Sequence, residues 1–175
     1  MEERKYPRKL SAGANNTVIV LNETEVAKLF SGDTRSDLGS EAQKMKFANT
    51  INDLVVKFIR LDYHEELQSE MLVMERIYPI DFRAYEIEIR ELWLEVFESE
   101  LNKLHQSGFV HRHLKGPSDI QGLTFDNILL SSQGLRLIDV GISALKSQVG
   151  DKIFEKQLEI ERNEMQLFRE YFLNR

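Results

Sequence analysis

The chain of 175 residues carries 42% hydrophobic and 30% charged residues and a formal net charge of −6. That balance supports one packed domain, excludes a disordered chain, and argues against a general nucleic-acid binder. Cysteine is absent, so no disulfide or zinc–thiolate framework exists, and the reducing cytoplasm is the default compartment, with export as an effector left open.

The N-terminal stretch M-E-E-R-K-Y-P-R-K is charged and lacks an apolar core, which argues against a Sec-type signal. The most apolar run, Val18 to Leu21, is far too short to span a bilayer. Thr17 to Leu21 and Glu25 to Phe30 are β-branched or apolar runs parted by Asn22 and Glu23, which predicts two strands in a tight hairpin. Ser31 to Gly39 reads as a polar loop. Ser40 to Thr50, with Ala42, Met45, Phe47 and Ala48, predicts a helix in which Ser40 and Gln43 fit a capping box. Leu54 to Leu61 and Met71 to Ile77 are strand candidates joined by an acidic turn around His64 and Glu66. After Pro79 the spacing of Ile89, Trp93, Val96, Phe97, Glu100, Leu101 and Leu104 predicts a helix, with Gly108 at its C-terminal cap. Asn127 to Leu130 and Leu135 to Ile138 predict a small hairpin. Asp151 to Leu173 predicts a last helix, with Phe154, Leu158, Met165, Phe168 and Phe172 on one face for the core or a partner. A strand-rich half followed by a helical half is an α+β layout.

Several short signals carry chemistry. Residues 10–18, L-S-A-G-A-N-N-T-V, form a small-residue turn around Gly13 that admits close approach of backbone N–H groups to a phosphate; the same letters also suit an ordinary β-turn. V-A-K-L at 26–29 sets Lys28 in mid-strand, where it faces solvent or, if buried, needs an anion. Asn127 and Asp139 are oxygen donors at strand ends, suited to a hard cation when together and to turns when apart.

Taken in order with M-L-V-M-E-R-I at 71–77, H-R-H-L-K at 111–115, D-N-I-L-L at 126–130 and I-D-V-G at 138–141, these signals resemble the protein kinase superfamily. The resemblance covers residues 10 to 141. It implies one domain over 1–175 with a two-lobed kinase-like fold: 1–77 a β-rich N-lobe and hinge, 78–175 a truncated helical C-lobe. It also implies ATP and Mg²⁺ as cofactors. Gly13 and Lys28 would meet phosphates, Glu41 would pair with Lys28, Met74 would be the gatekeeper, and Glu75 to Ile77 would offer backbone groups to adenine. Asn127 and Asp139 would hold the metal, and Lys115 matches the lysine that contacts the γ-phosphate in the Ser/Thr class.

Three departures accompany the resemblance. His113 stands where the family has its catalytic aspartate. Asn127 follows it after 14 positions instead of five, across G-P-S-D-I-Q-G-L-T-F, where Asp119 is a candidate substitute base. Only the 34 residues 142–175 follow Gly141, without an A-P-E motif. The expected function is phosphoryl transfer from ATP to protein Ser/Thr through an atypical catalytic loop. The alternative is a pseudokinase serving as a nucleotide- or protein-binding module, and a kinase of small molecules ranks third. The expected partners are a nucleotide and a protein partner or substrate, with no nucleic acid and no membrane span.

Overall fold

The structure is a computed structural model that describes residues 8–12, 16–30, 38–115 and 125–173. Its first half is one antiparallel sheet of five strands in the order β1-β2-β3-β5-β4, built from β1 (Arg8–Ala12), β2 (Asn16–Val20), β3 (Glu25–Phe30), β4 (Phe58–His64) and β5 (Ser69–Glu75). The β2–β3 turn is closed locally: the Asn22 side chain accepts from the Thr24 N–H at 2.9 Å and donates to Glu25 at 3.1 Å. Period-two alternation then sorts the sheet into two faces. Val20, Val26, Leu72 and Met74 join the main core, while Ile19, Ala27, Met71 and Val73 form a small cluster on the other face. Lys28 pairs with Val18 and Leu72, so it shares the main-core face.

Helix α1 (Leu38–Asn49) brings Ala42, Met45 and Ala48 into that core. It starts two residues before the expected Ser40, which therefore lies inside the helix and is not its N-cap. The expected strand from Leu54 is also corrected. Residues 54–57 leave the sheet and run beside Leu137, with Val56 N–H donating to Leu137 O at 2.8 Å and Leu137 N–H to Leu54 O at 2.7 Å. An apolar run looks the same whether it pairs with a neighbouring strand or with one eighty residues on. At the other edge, β5 ends at Glu75, and the Arg76 N–H turns to Thr24 O at 2.9 Å.

The second half is helical with short pairings. Helix α2 (Ile87–Gln106) ends at Gly108, whose φ of +93° is the left-handed conformation expected after a helix C-terminus. Its buried stripe is Arg90, Leu94, Phe97, Leu101, Leu104 and His105. Ile89 and Val96, expected on that stripe, are 40% and 63% exposed, because the helix is turned towards the neighbouring row. Strand β6 (Phe109–Val110), the hairpin of β7 (Ile128–Ser131) and β8 (Gly134–Leu137), strand β9 (Ala144–Leu145) paired with β6, and the single turn α3 (Lys146–Val149) lead into α4 (Asp151–Leu173). On α4, Phe154, Leu158, Phe168 and Phe172 are buried as expected. Phe168 lies 5.5 Å from Phe97 and 5.3 Å from Phe125 by ring centroids, locking α2, α4 and the hairpin together. The architecture is α+β. Among the described residues no helix is long and apolar enough to cross a membrane.

Candidate functional site

Lys28 is the starting point because its side chain is only 7% exposed. A buried ammonium costs several kcal/mol unless anions meet it, and here two do. Nζ donates to both oxygens of Glu41 at 3.0 and 3.2 Å and to Oδ1 of Asp139 at 3.0 Å. Strand β3, helix α1 and the loop after β8 therefore converge on one nitrogen. Burial pushes Lys28 down, but the two carboxylates outweigh it and hold the ammonium above its ordinary range. Burial pushes Asp139 up, and Lys28 more than reverses this, keeping the carboxyl below its usual range. Glu41 goes the other way: its burial raises the carboxyl more than Lys28 lowers it.

The loop that carries Asp139 is tightly shaped. Asp139 has φ +58°, a left-handed conformation uncommon for a residue other than glycine. Gly141 passes so close that a Cβ there would sit 3.5 Å from Glu41 Oε2 and 3.7 Å from Asp139 Oδ1. The Gly141 carbonyl accepts from Lys44 Nζ at 3.0 Å, which ties the loop to α1 a second time.

The H-R-H-L-K segment lies beside this loop. The fully buried His111 has its Nε2 2.8 Å from Ile138 O and its Nδ1 3.2 Å from the His113 N–H. A carbonyl only accepts and a peptide N–H only donates, so His111 is the neutral Nε2–H tautomer. Burial pushes its pKa down in the same direction. The Asn127 side chain donates to His113 O at 2.8 Å, and the Ile138 N–H donates to Asn127 O at 3.0 Å. The long gap in sequence between His113 and Asn127 is thus closed in space.

Asn127 and Asp139 each carry an oxygen of the kind a hard divalent cation takes. The Asn127 Nδ2 is engaged with His113 O, which leaves Oδ1 as the amide's acceptor, and Asp139 is held ionised with its side chain 43% exposed. Among the described residues no cluster of three or more His, Cys, Asp or Glu could hold a metal by itself.

Two carboxylates on α4 were missed by sequence reasoning. Glu161, 1% exposed, accepts from His105 Nε2 at 2.6 Å, His111 N–H at 3.1 Å and Arg112 N–H at 2.8 Å. Its signal was a charged residue at an apolar position of the face that runs Phe154, Leu158, Met165, Phe168. Glu164 accepts from the Lys115 N–H at 3.2 Å.

No protein-family model matches the chain, and no curated protein is significantly similar to it. Function therefore rests on the geometry.

Glu75 has a further role: its carboxylate takes the buried Arg136 and the Lys57 N–H, joining β5 to β8. The Glu75 and Arg76 N–H groups are engaged with Lys57 O and Thr24 O. Gly13 and Asp119 lie outside the described residues. What the rest assembles is a buried ammonium, an ionised carboxylate, an amide oxygen and the H-R-H-L-K backbone around one loop.

Proposed function

We propose that the protein is a kinase-like phosphotransferase that binds ATP with Mg²⁺ and transfers the γ-phosphoryl group to a protein Ser or Thr hydroxyl. The observation that carries this reading is Lys28 bridging Glu41 and Asp139 at 3.0 Å each. A buried cation with one partner in deep cover and one facing solvent is poised to exchange part of its pairing for nucleotide phosphates. In this reading Lys28, with Gly13, holds phosphate, Asn127 and Asp139 hold the metal, and Lys115 lies towards the γ-phosphate. A Mg²⁺ there would neutralise phosphate charge as the transfer proceeds. His113 stands by the acceptor hydroxyl, with Asp119 as the other candidate, and Ile77 meets the adenine. Phosphoryl transfer depends mostly on positioning and electrostatics, so loss of an aspartate base costs about 10²–10⁴-fold without abolishing turnover.

His113 itself favours the second reading, a pseudokinase that holds nucleotide or a protein partner without transfer, because an imidazole brings no negative charge. The deciding test is a thermal-melt titration with ATP, with and without Mg²⁺, beside radiolabelled autophosphorylation. A Mg²⁺-dependent rise that scales with ligand, lost in Asp139→Ala, together with incorporated label, is the expected result. A rise without label selects the second reading; no rise removes nucleotide binding altogether.

A further inference from the structure

Residues 111–115 form no helix or strand, and Arg112 sits at φ +71°, so something outside the segment must impose its shape. Four of its five N–H groups have identified partners. Those of His111 and Arg112 go to Glu161, that of His113 to the His111 ring, and that of Lys115 to Glu164 Oε2. Leu114 anchors the segment in the core with no exposed surface. Glu161 and Glu164 are three residues apart on α4 and so lie on one side of that helix. Glu161 grips the beginning of the segment, and Glu164 takes the N–H at its end.

We propose that Glu164 is a positioning residue for phosphoryl transfer, holding the Lys115 backbone so that Lys115 and His113 keep their register against the metal-binding pair. The inference rests on the phosphotransferase reading above and deepens it. Asn127 fixes His113 from one side through its carbonyl, at 2.8 Å. On the side of Lys115, Glu164 supplies the acceptor for the segment's last N–H, beside the Leu114 anchor. Glu164 is also a half-buried carboxylate that burial pushes upward, while the Lys115 N–H draws it back and the neighbouring Glu161 raises it further. The nucleotide-holding groups Lys28 and Asp139 are supported independently by α1 and the loop after β8. Release of Lys115 is accordingly expected to change the transfer rate and leave nucleotide affinity in place.

The test uses the full chain and radiolabelled ATP, with label incorporation measured across Mg·ATP concentrations. Glu164→Ala is expected to lower the maximal rate about 10–100-fold, as a misplaced group does, with the half-saturating Mg·ATP within about twofold of wild type. Its melting temperature should stay within about 5 °C, since Glu161 still holds the segment. Glu164→Gln keeps an oxygen that accepts the Lys115 N–H and should retain at least about a third of the rate. A wild-type rate in Glu164→Ala overturns the inference. So does an equal loss in Glu164→Gln, or a fall in nucleotide affinity and melting temperature that matches the fall in rate. A wild-type chain that incorporates no label overturns the phosphotransferase reading itself, and this inference with it.

Discussion

Lys28→Met isolates the energetics of the buried charge cluster. The substitution keeps the length of the stem against Val26 and Leu72 but removes the ammonium, leaving Glu41, 2% exposed, without the cation now bonded to both its oxygens. Asp139 keeps much of its hydration, because its side chain is 43% exposed. The cost therefore lies mainly with Glu41. Stranding one partner of a buried pair typically costs about 3–5 kcal/mol, a large share of the ~5–15 kcal/mol that holds a domain folded. With an m-value of about 2 kcal/mol/M, the urea midpoint should fall by about 2 M. The double variant Lys28→Met/Glu41→Leu removes both charges and should return to within about 1 kcal/mol of wild type. In the single variant the penalty should also shrink in mild acid, since protonating Glu41, already held above its usual range by burial, removes the stranded charge. Equilibrium urea unfolding by circular dichroism at two pH values measures all three. Additive penalties in the double variant, or a Lys28→Met cost below about 1 kcal/mol, would refute this account.

Other expectations concern separate parts of the molecule. His111 has a depressed pKa when folded, so the unfolded chain takes its proton first; the stability it contributes is complete above about pH 6.5 and is lost as pH falls through that value towards the folded pKa. The expected slope is about 1.4 kcal/mol per pH unit, and a His111→Asn variant should flatten it in the same urea titrations. Phe168→Ala opens the junction of α2, α4 and the hairpin and should cost about 3–5 kcal/mol, read from the thermal midpoint. Glu161→Ala leaves three donors without their acceptor and should destabilise by at least about 3 kcal/mol, with faster amide exchange at His111 and Arg112. His113→Asp should raise label incorporation if the loop geometry serves catalysis, and an unchanged rate would favour the binding-module reading.

Much of the fold could be read from local pattern. The β2–β3 hairpin, the β7–β8 hairpin and the aromatic face of α4 follow from alternation, turn residues and helical spacing, all of which are short-range. The errors came where distant partners decide. Leu54 to Val56 is an apolar run whose destination is Leu137, and nothing in its own letters says so. Ile89 and Val96 are apolar yet exposed, because the face α2 presents is set by what packs on it. At the site, the pairing of Lys28 with Glu41 was legible from an ordered set of motifs, whereas the direct pairing of Lys28 with Asp139 was not. The grip of Glu161 and Glu164 was not, because surface and buried glutamates are spelled alike. The fourteen positions between His113 and Asn127 depart from the family spacing, yet one amide hydrogen bond brings the two into contact.

The ion pair between Lys28 and Asp139 joins residues 111 positions apart, and the grip on His111 and Arg112 reaches forward about fifty. Loops of that size close late in folding, after the local hairpins and helices have formed. A growing chain that has made only its sheet and α1 already carries Lys28 and Glu41, but neither the carboxylate that faces solvent nor the helix that shapes the H-R-H-L-K segment. The charge cluster is thus completed only after Asp139 has been made, and the shape of the H-R-H-L-K segment only after Glu161 has been made.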